Sequence, residues 1–142
     1  MGPGYFSALM TPNLLPRKLA AIYVGGVIGA LLRVGLIEAF PHQSDAWPWA
    51  TFAVNLVGAF LIGYFFTALR HHGPDRLHHP FLATGICGTL TTFSTMQLEL
   101  FTMVDAGETG LAAGYLVASL AAGYALLRLG LAAAEDRSEA PA

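Results

Sequence analysis

The sequence predicts an all-α membrane protein of four transmembrane helices, the third broken near its middle. Three observations carry this prediction. Of the 142 residues, 55% are hydrophobic and only 11% are charged, against roughly 25% charged in a typical soluble domain. Four apolar stretches reach the roughly 20 residues that an α-helix needs to cross a hydrocarbon core. The third stretch is interrupted by glycines and a run of hydroxyl residues. Other classes drop out on the same figures. A net charge of −2 leaves no basic stripe for nucleic acid. A single cysteine, Cys87, supports neither a disulfide framework nor a Cys-based zinc finger.

Residues 1–18 form an N-terminal tail with three prolines. It lacks the charged start and cleavage site of a signal peptide, and Arg17-Lys18 abut the first span. A single four-helix transmembrane domain covers residues 19–133, and residues 134–142 are a polar C-terminal tail. The first span runs from about Leu19 to Phe40 with Arg33 inside it. The second, from about Pro48 to Leu69, has no charge. The third, from about Pro80 to Val104, carries Glu99 in its final third. The fourth, from about Thr109 to Ala133, carries Arg128 near its end. Pro48 and Pro80 suit first-turn positions, where a missing N–H costs little. The short link Asp105-Ala-Gly-Glu108 makes the third and fourth spans antiparallel neighbours. Arg17, Lys18, Arg70, Arg76 and Arg137 fall on one side and the other two loops hold no Lys or Arg. The positive-inside rule therefore places both termini in the cytoplasm.

Several residues do not belong in lipid. Gly25 and Gly29 make a G-x-x-x-G step that permits close helix approach. Arg33, about 21 Å along the helix from Leu19, is too deep for easy snorkelling to the near side and should face water or a partner. Thr51 and Asn55 share one face of the second span, and an amide in hydrocarbon needs a partner. In the third span, Gly85-Ile-Cys-Gly88-Thr89-Leu90-Thr91-Thr92-Phe93-Ser94-Thr95-Met96 weakens the helical ladder. A break there frees backbone carbonyls, tolerated only against protein, water or an ion. In the fourth span Tyr115 and Ser119 lie on one stripe. Gly110, Gly114, Ala118 and Ala122 form an adjacent ridge that reads as packing. The interior thus offers hydroxyls, one amide, aromatic edges and one arginine. Such a set suits a small anion, and a phenyl ring presents a positive edge. Four helices enclose little of a pathway alone, so a dimer is expected.

These motifs resemble the Fluc fluoride channels, also called the CrcB family, over roughly residues 20–130. The resemblance rests on Gly25-Gly26-x-x-Gly29-Ala30-x-x-Arg33, Thr51-x-x-x-Asn55-x-x-Gly58-x-x-x-x-Gly63 and Gly85-x-Cys87-Gly88-x-x-Thr91-Thr92-Phe93-Ser94-Thr95. It implies an antiparallel, dual-topology dimer in the plasma (inner) membrane. Two pores would pass fluoride passively and lower cytoplasmic fluoride. It further implies a structural sodium ion at the dimer centre, held by the carbonyls of Gly88 and Thr91. Phe93 would line the pore edge-on, Asn55 would donate a hydrogen bond near the anion, and Arg33 would sit in the vestibule. Thr92, Glu99, Tyr115 and Ser119 would fall along a polar track, with Thr51 beside them. Met96 stands where the family commonly has a second phenylalanine. Spaced i, i+3 from Phe93, it is expected to line the same path. A cross-link through Cys87 is the natural test of whether two third helices meet. The one-sided Lys/Arg bias also fits one half of a paired heterodimer with fixed orientation.

Three rivals stand beside this reading. A small multidrug-type, proton-coupled transporter needs a membrane acid, for which Glu38 at the end of the first span is the candidate. Metal transport would use His71, His72, His78 and His79, all in a loop. A non-transporting assembly protein would explain the small-residue ridges but not the Thr-rich break.

Overall fold

The computed structural model of the chain describes residues 14–69 and 77–139, and among them every regular element is helical. Helix α1 covers Leu14–Ala39 and α2 covers Trp49–Ala68. A π-helical segment, Pro80–Cys87, runs into a single turn, α3, at Gly88–Leu90. Helix α4 covers Phe93–Asp105 and α5 covers Thr109–Glu139. Three helical stretches are long and apolar enough to cross a membrane: Leu14–Ala39, Trp49–Ala68 and Thr109–Glu135. The protein is thus an all-α integral membrane protein.

The element bounds differ from expectation where proline and chain ends are concerned. Helix α1 begins at Leu14 rather than Leu19. Pro16 falls in its first turn, where proline removes only an N–H that has no helical acceptor, so Arg17 and Lys18 are helical. Pro48 stands just before α2 and its carbonyl accepts the Phe52 N–H at 2.9 Å. Pro80 does open its segment. Helix α5 continues through residues 134–139, and Ala134 is buried. The predicted tail residues 1–13 and 140–142, and the loop residues Arg70, His71, His72 and Arg76, lie outside the described residues. Between α4 and α5, Gly107 takes a φ of 87°, the left-handed conformation that glycine adopts without penalty. The Glu108 N–H then returns to the Met103 carbonyl at 2.8 Å.

Packing follows glycine. Helix α1 lies against the π segment and α3, and α2 lies against α5; α1 and α2 barely touch. At the first crossing a methyl on Gly25 would overlap the Phe81 carbonyl and reach within 3.1 Å of Gly85 Cα. A methyl on Gly29 would overlap the Ile86 carbonyl. At the second crossing Gly63 meets the Leu127 carbonyl and Gly130 meets that of Phe60. These close approaches are what G-x-x-x-G spacing allows. By contrast, Gly110 and Gly114 have nothing within 4 Å. The predicted packing ridge of α5 therefore begins on a surface with no partner among the described residues. A small core of Met96, Met103, Ala112 and Tyr115 joins α4 to α5 beneath Trp47 and Phe52. Most large side chains of α1 and α5, such as Leu31, Val117 and Leu120, point outward. That suits lipid or another subunit.

Candidate functional site

The third helix breaks at Thr91 and Thr92, whose backbones are extended (ψ 149° and 110°). The cause is a competition for hydrogen bonds. The Thr92 N–H, which would continue the ladder to Gly88, donates instead to Asn55 Oδ1 at 2.7 Å. The Asn55 amide donates in return to the Thr92 carbonyl at 3.1 Å. The Thr95 N–H, which would reach Thr91, donates to the Thr92 hydroxyl at 3.2 Å and so caps α4. The carbonyls of Gly88 and Thr91 consequently lose their usual donors four residues on. Asn55 can make further bonds, since a carboxamide carries two N–H groups.

The hydroxyl run is divided between structural tasks. Thr89 donates toward the Gly26 carbonyl of α1 at 2.9 Å and lies 3.0 Å from its own Gly85 carbonyl. Thr91 donates to the Cys87 carbonyl at 3.1 Å, and its methyl occupies the space that a side chain at Gly58 would need. The Thr92 hydroxyl lies 2.8 Å from that of Thr95 and 3.3 Å from that of Ser94. The Cys87 side chain is fully buried inside the chain. A disulfide to a second copy through Cys87 would require the packed helices to open, so this residue is a poor cross-linking probe.

Two turns further along α4, Glu99 is only 6% exposed. Both carboxylate oxygens are occupied: Thr51 donates to one and the Tyr115 hydroxyl donates to the other at 2.8 Å. His42 Nε2 stands 3.9 Å from the Thr51-bonded oxygen. A buried acid is tolerable only with such partners. Helices α2, α4 and α5 each supply one member, and the α1–α2 link supplies the histidine. The ring of Tyr115 is clamped edge-on by Trp47 at 5.3 Å. Ser119, one turn on, keeps its buried hydroxyl beside Tyr115. Trp47 Nε1 is buried and unbonded among the described residues.

The structure thus brings Thr51, Glu99, Tyr115 and Ser119 together, and separately joins Asn55 to Thr92. Phe93 and Met96 part company. Phe93 is 68% exposed and points away from the chain, whereas Met96 is buried in the core. Positions i and i+3 lie about 60° apart around a helix, and packing against α5 covers Met96 while leaving Phe93 exposed, so they do not line a common surface within the chain. Arg33 is half-buried and has no hydrogen bond or ion pair among the described residues. It lies six residues before Ala39, about 9 Å from the helix end. His42 and Trp47 were not anticipated from sequence. Among the described residues no group of three His, Cys, Asp or Glu is placed to hold a metal ion.

Comparison with known proteins bears on this arrangement. A family model described as "CrcB-like protein, Camphor Resistance (CrcB)" matches residues 20–131. The chain is 49% identical over 114 residues to "Fluoride-specific ion channel FluC 1" of Mycolicibacterium paratuberculosis, covering 80% of this chain and 86% of the relative. It is 48% identical over 119 residues to "Fluoride-specific ion channel FluC 1" of Mycobacterium bovis, covering 83% and 90%. It is 40% identical over 127 residues to "Fluoride-specific ion channel FluC" of Bordetella petrii, covering 88% and 97%.

Proposed function

From the premise that this chain belongs to the CrcB family, we propose that it is a fluoride channel of the plasma membrane that lowers cytoplasmic fluoride by passive export. The family is one of ion channels, not enzymes. One observation carries the reading to the level of residues. The paired bonds between Asn55 and Thr92 hold the third helix open without closing off the amide's second N–H. That N–H is the donor we assign to fluoride.

The working unit is an antiparallel dimer of four-helix subunits with two pores. The outward-facing ring of Phe93 supports this, because an edge-on contact with an anion needs a wall that one chain does not supply. From Asn55 and Phe93 the path continues past Thr92 toward the Glu99 cluster, with Met96 packed behind it. The hydroxyls of Thr51 and Tyr115 now donate to a carboxylate. A desolvated fluoride competes with that carboxylate for the same donors, and Ser119 adds a third. Arg33 at the end of α1 raises the local anion concentration at the vestibule.

Sodium fits the break. The carbonyls of Gly88 and Thr91 have lost their helical donors, and unwound carbonyls of this kind suit a hard monovalent cation. One chain offers two such oxygens, so a second copy across a two-fold axis would complete the set. Bound there, sodium would supply a fixed positive charge that offsets the exposed carbonyl dipoles.

Fluoride efflux from liposomes holding only this protein tests the proposal, and an intact dimer that passes no fluoride overturns it for the lone chain. The one-sided Lys/Arg distribution favours a second reading, one subunit of a paired heterodimer. In that case flux appears only when a homologous partner of opposite orientation is added.

A further inference from the structure

We propose that a groove between the N-terminal half of α1 and the π segment binds an anionic phospholipid. Its phosphate would sit between Arg17 and His78, and an acyl chain would lie against Val24 and Phe81. The groove has a volume of about 460 Å³, within the range of sites that hold small organic ligands. Its origin is the glycine crossing described above. Gly25 and Gly85 bring the two helices into backbone contact. On the N-terminal side of this crossing the small residues Ala20 and Ala21 line the groove.

The lining identifies the occupant. Among the described residues its walls are almost wholly apolar, and the two polar side chains among them, Arg17 and His78, stand at the same end. From Arg17 to Val24 is seven residues, or about 10 Å along the helix. That is the depth from a headgroup into the upper acyl region. Among the described residues neither Arg17 nor His78 has a hydrogen bond or ion pair. The guanidinium offers a forked donor matched to phosphate, and the imidazole adds one N–H. Lys18 stands next in sequence and is half-buried. A free phosphate would use the rim and leave the apolar floor open. A zwitterionic lipid would use the floor but set its own cation against Arg17. An anionic phospholipid uses both, and in a subunit whose termini face the cytoplasm the basic rim lies at the leaflet where anionic lipids create a negative surface potential.

The test is native mass spectrometry of the full-length protein released from mixed micelles that contain phosphatidylglycerol and phosphatidylcholine with the same acyl chains. Retention of phosphatidylglycerol over phosphatidylcholine is expected. Arg17→Gln, at an exposed position that cannot upset folding, should weaken retention by about fivefold, the worth of one basic side chain at a membrane surface. Ala21→Leu, which fills the groove, should abolish it while circular dichroism stays unchanged. Equal retention of the two lipids, or wild-type retention by Arg17→Gln, overturns the proposal. So does displacement by soluble glycerol 3-phosphate at the concentration where the diacyl lipid displaces, because the floor would then play no part.

Discussion

Asn55 and Thr92 exchange two hydrogen bonds across the gap between α2 and the broken helix, the amide oxygen accepting at 2.7 Å and the amide nitrogen donating at 3.1 Å. One side chain thus replaces the ladder bonds that the break removes. Asn55→Ala leaves a peptide N–H and a carbonyl without partners in a low-dielectric setting. It is expected to destabilise the protein by about 2 kcal/mol or more, measured by thermal unfolding in detergent. Asn55→Asp keeps the acceptor but loses every donor. It should retain more stability than Asn55→Ala and yet pass no fluoride in liposome efflux. Equal flux in wild type and Asn55→Asp would remove Asn55 from the pore.

The Glu99 cluster should behave as a unit. Tyr115→Phe and Thr51→Val each remove one donor from a buried carboxylate, at about 1.5–3 kcal/mol apiece. Because both act on the same group, the double variant should differ from the sum by 0.5 kcal/mol or more, the size seen for residues in one network. Unfolding titrations of the two single variants and the double variant measure this. Strict additivity would mean that the two hydroxyls stabilise the fold independently of Glu99.

Glycines at the crossings and glycines on the open face of α5 should respond differently to the same change. Gly25→Ala and Gly130→Ala drive a methyl into the Phe81 and Phe60 carbonyls. Overpacking of this kind costs about 1–3 kcal/mol. Gly114→Ala meets nothing within 4 Å, so the isolated subunit should tolerate it. Melting temperatures should fall for the first pair and hold for Gly114→Ala. If Gly114→Ala also weakens dimerisation, measured by single-molecule colocalisation in vesicles, the open ridge of α5 is a subunit contact.

Sodium should be separable from fluoride. If the Gly88 and Thr91 carbonyls hold sodium as proposed, exchanging sodium for N-methylglucamine during purification should lower the melting temperature of the dimer and its fluoride flux together. Returning sodium should restore both. A dimer indifferent to the exchange contains no such ion.

The break in the third helix was legible because part of its cause is local, although Asn55, which takes the Thr92 N–H, is remote in sequence. Gly88, the threonine run and the capping hydroxyl of Thr92 are all neighbours in sequence. The pairing of Thr51, Glu99 and Tyr115 was legible only as separate polar positions in three apolar spans, each in need of a partner. Which partner each one finds depends on how the helices pack. The same packing covers Met96 and leaves Phe93 exposed, against the expectation from spacing. His42 and Trp47 went unnoticed because they stand in a link, where polar and aromatic residues are unremarkable until the fold brings them to Glu99 and Tyr115. The early start of α1 was masked by Pro16, which breaks a helix interior but not a first turn. The π-helical turn geometry of Pro80–Cys87 has no local signature, since it arises where Gly25 and Gly29 admit the backbone of another helix.

The interleaved pairing of helices has a consequence for biogenesis. Helix α1 rests on the π segment and α2 rests on α5, while α1 and α2 hardly meet. Helices α1 and α2 therefore do not consolidate as a hairpin when they leave the ribosome. Helix α1 waits for residues 80–90 before it can dock, and α2 waits for Thr109–Glu139. Until then two apolar helices stand separately in the bilayer, each open to capture by another chain. Arrival of Thr109–Glu139, rather than insertion of each span, sets the moment at which this fold can close.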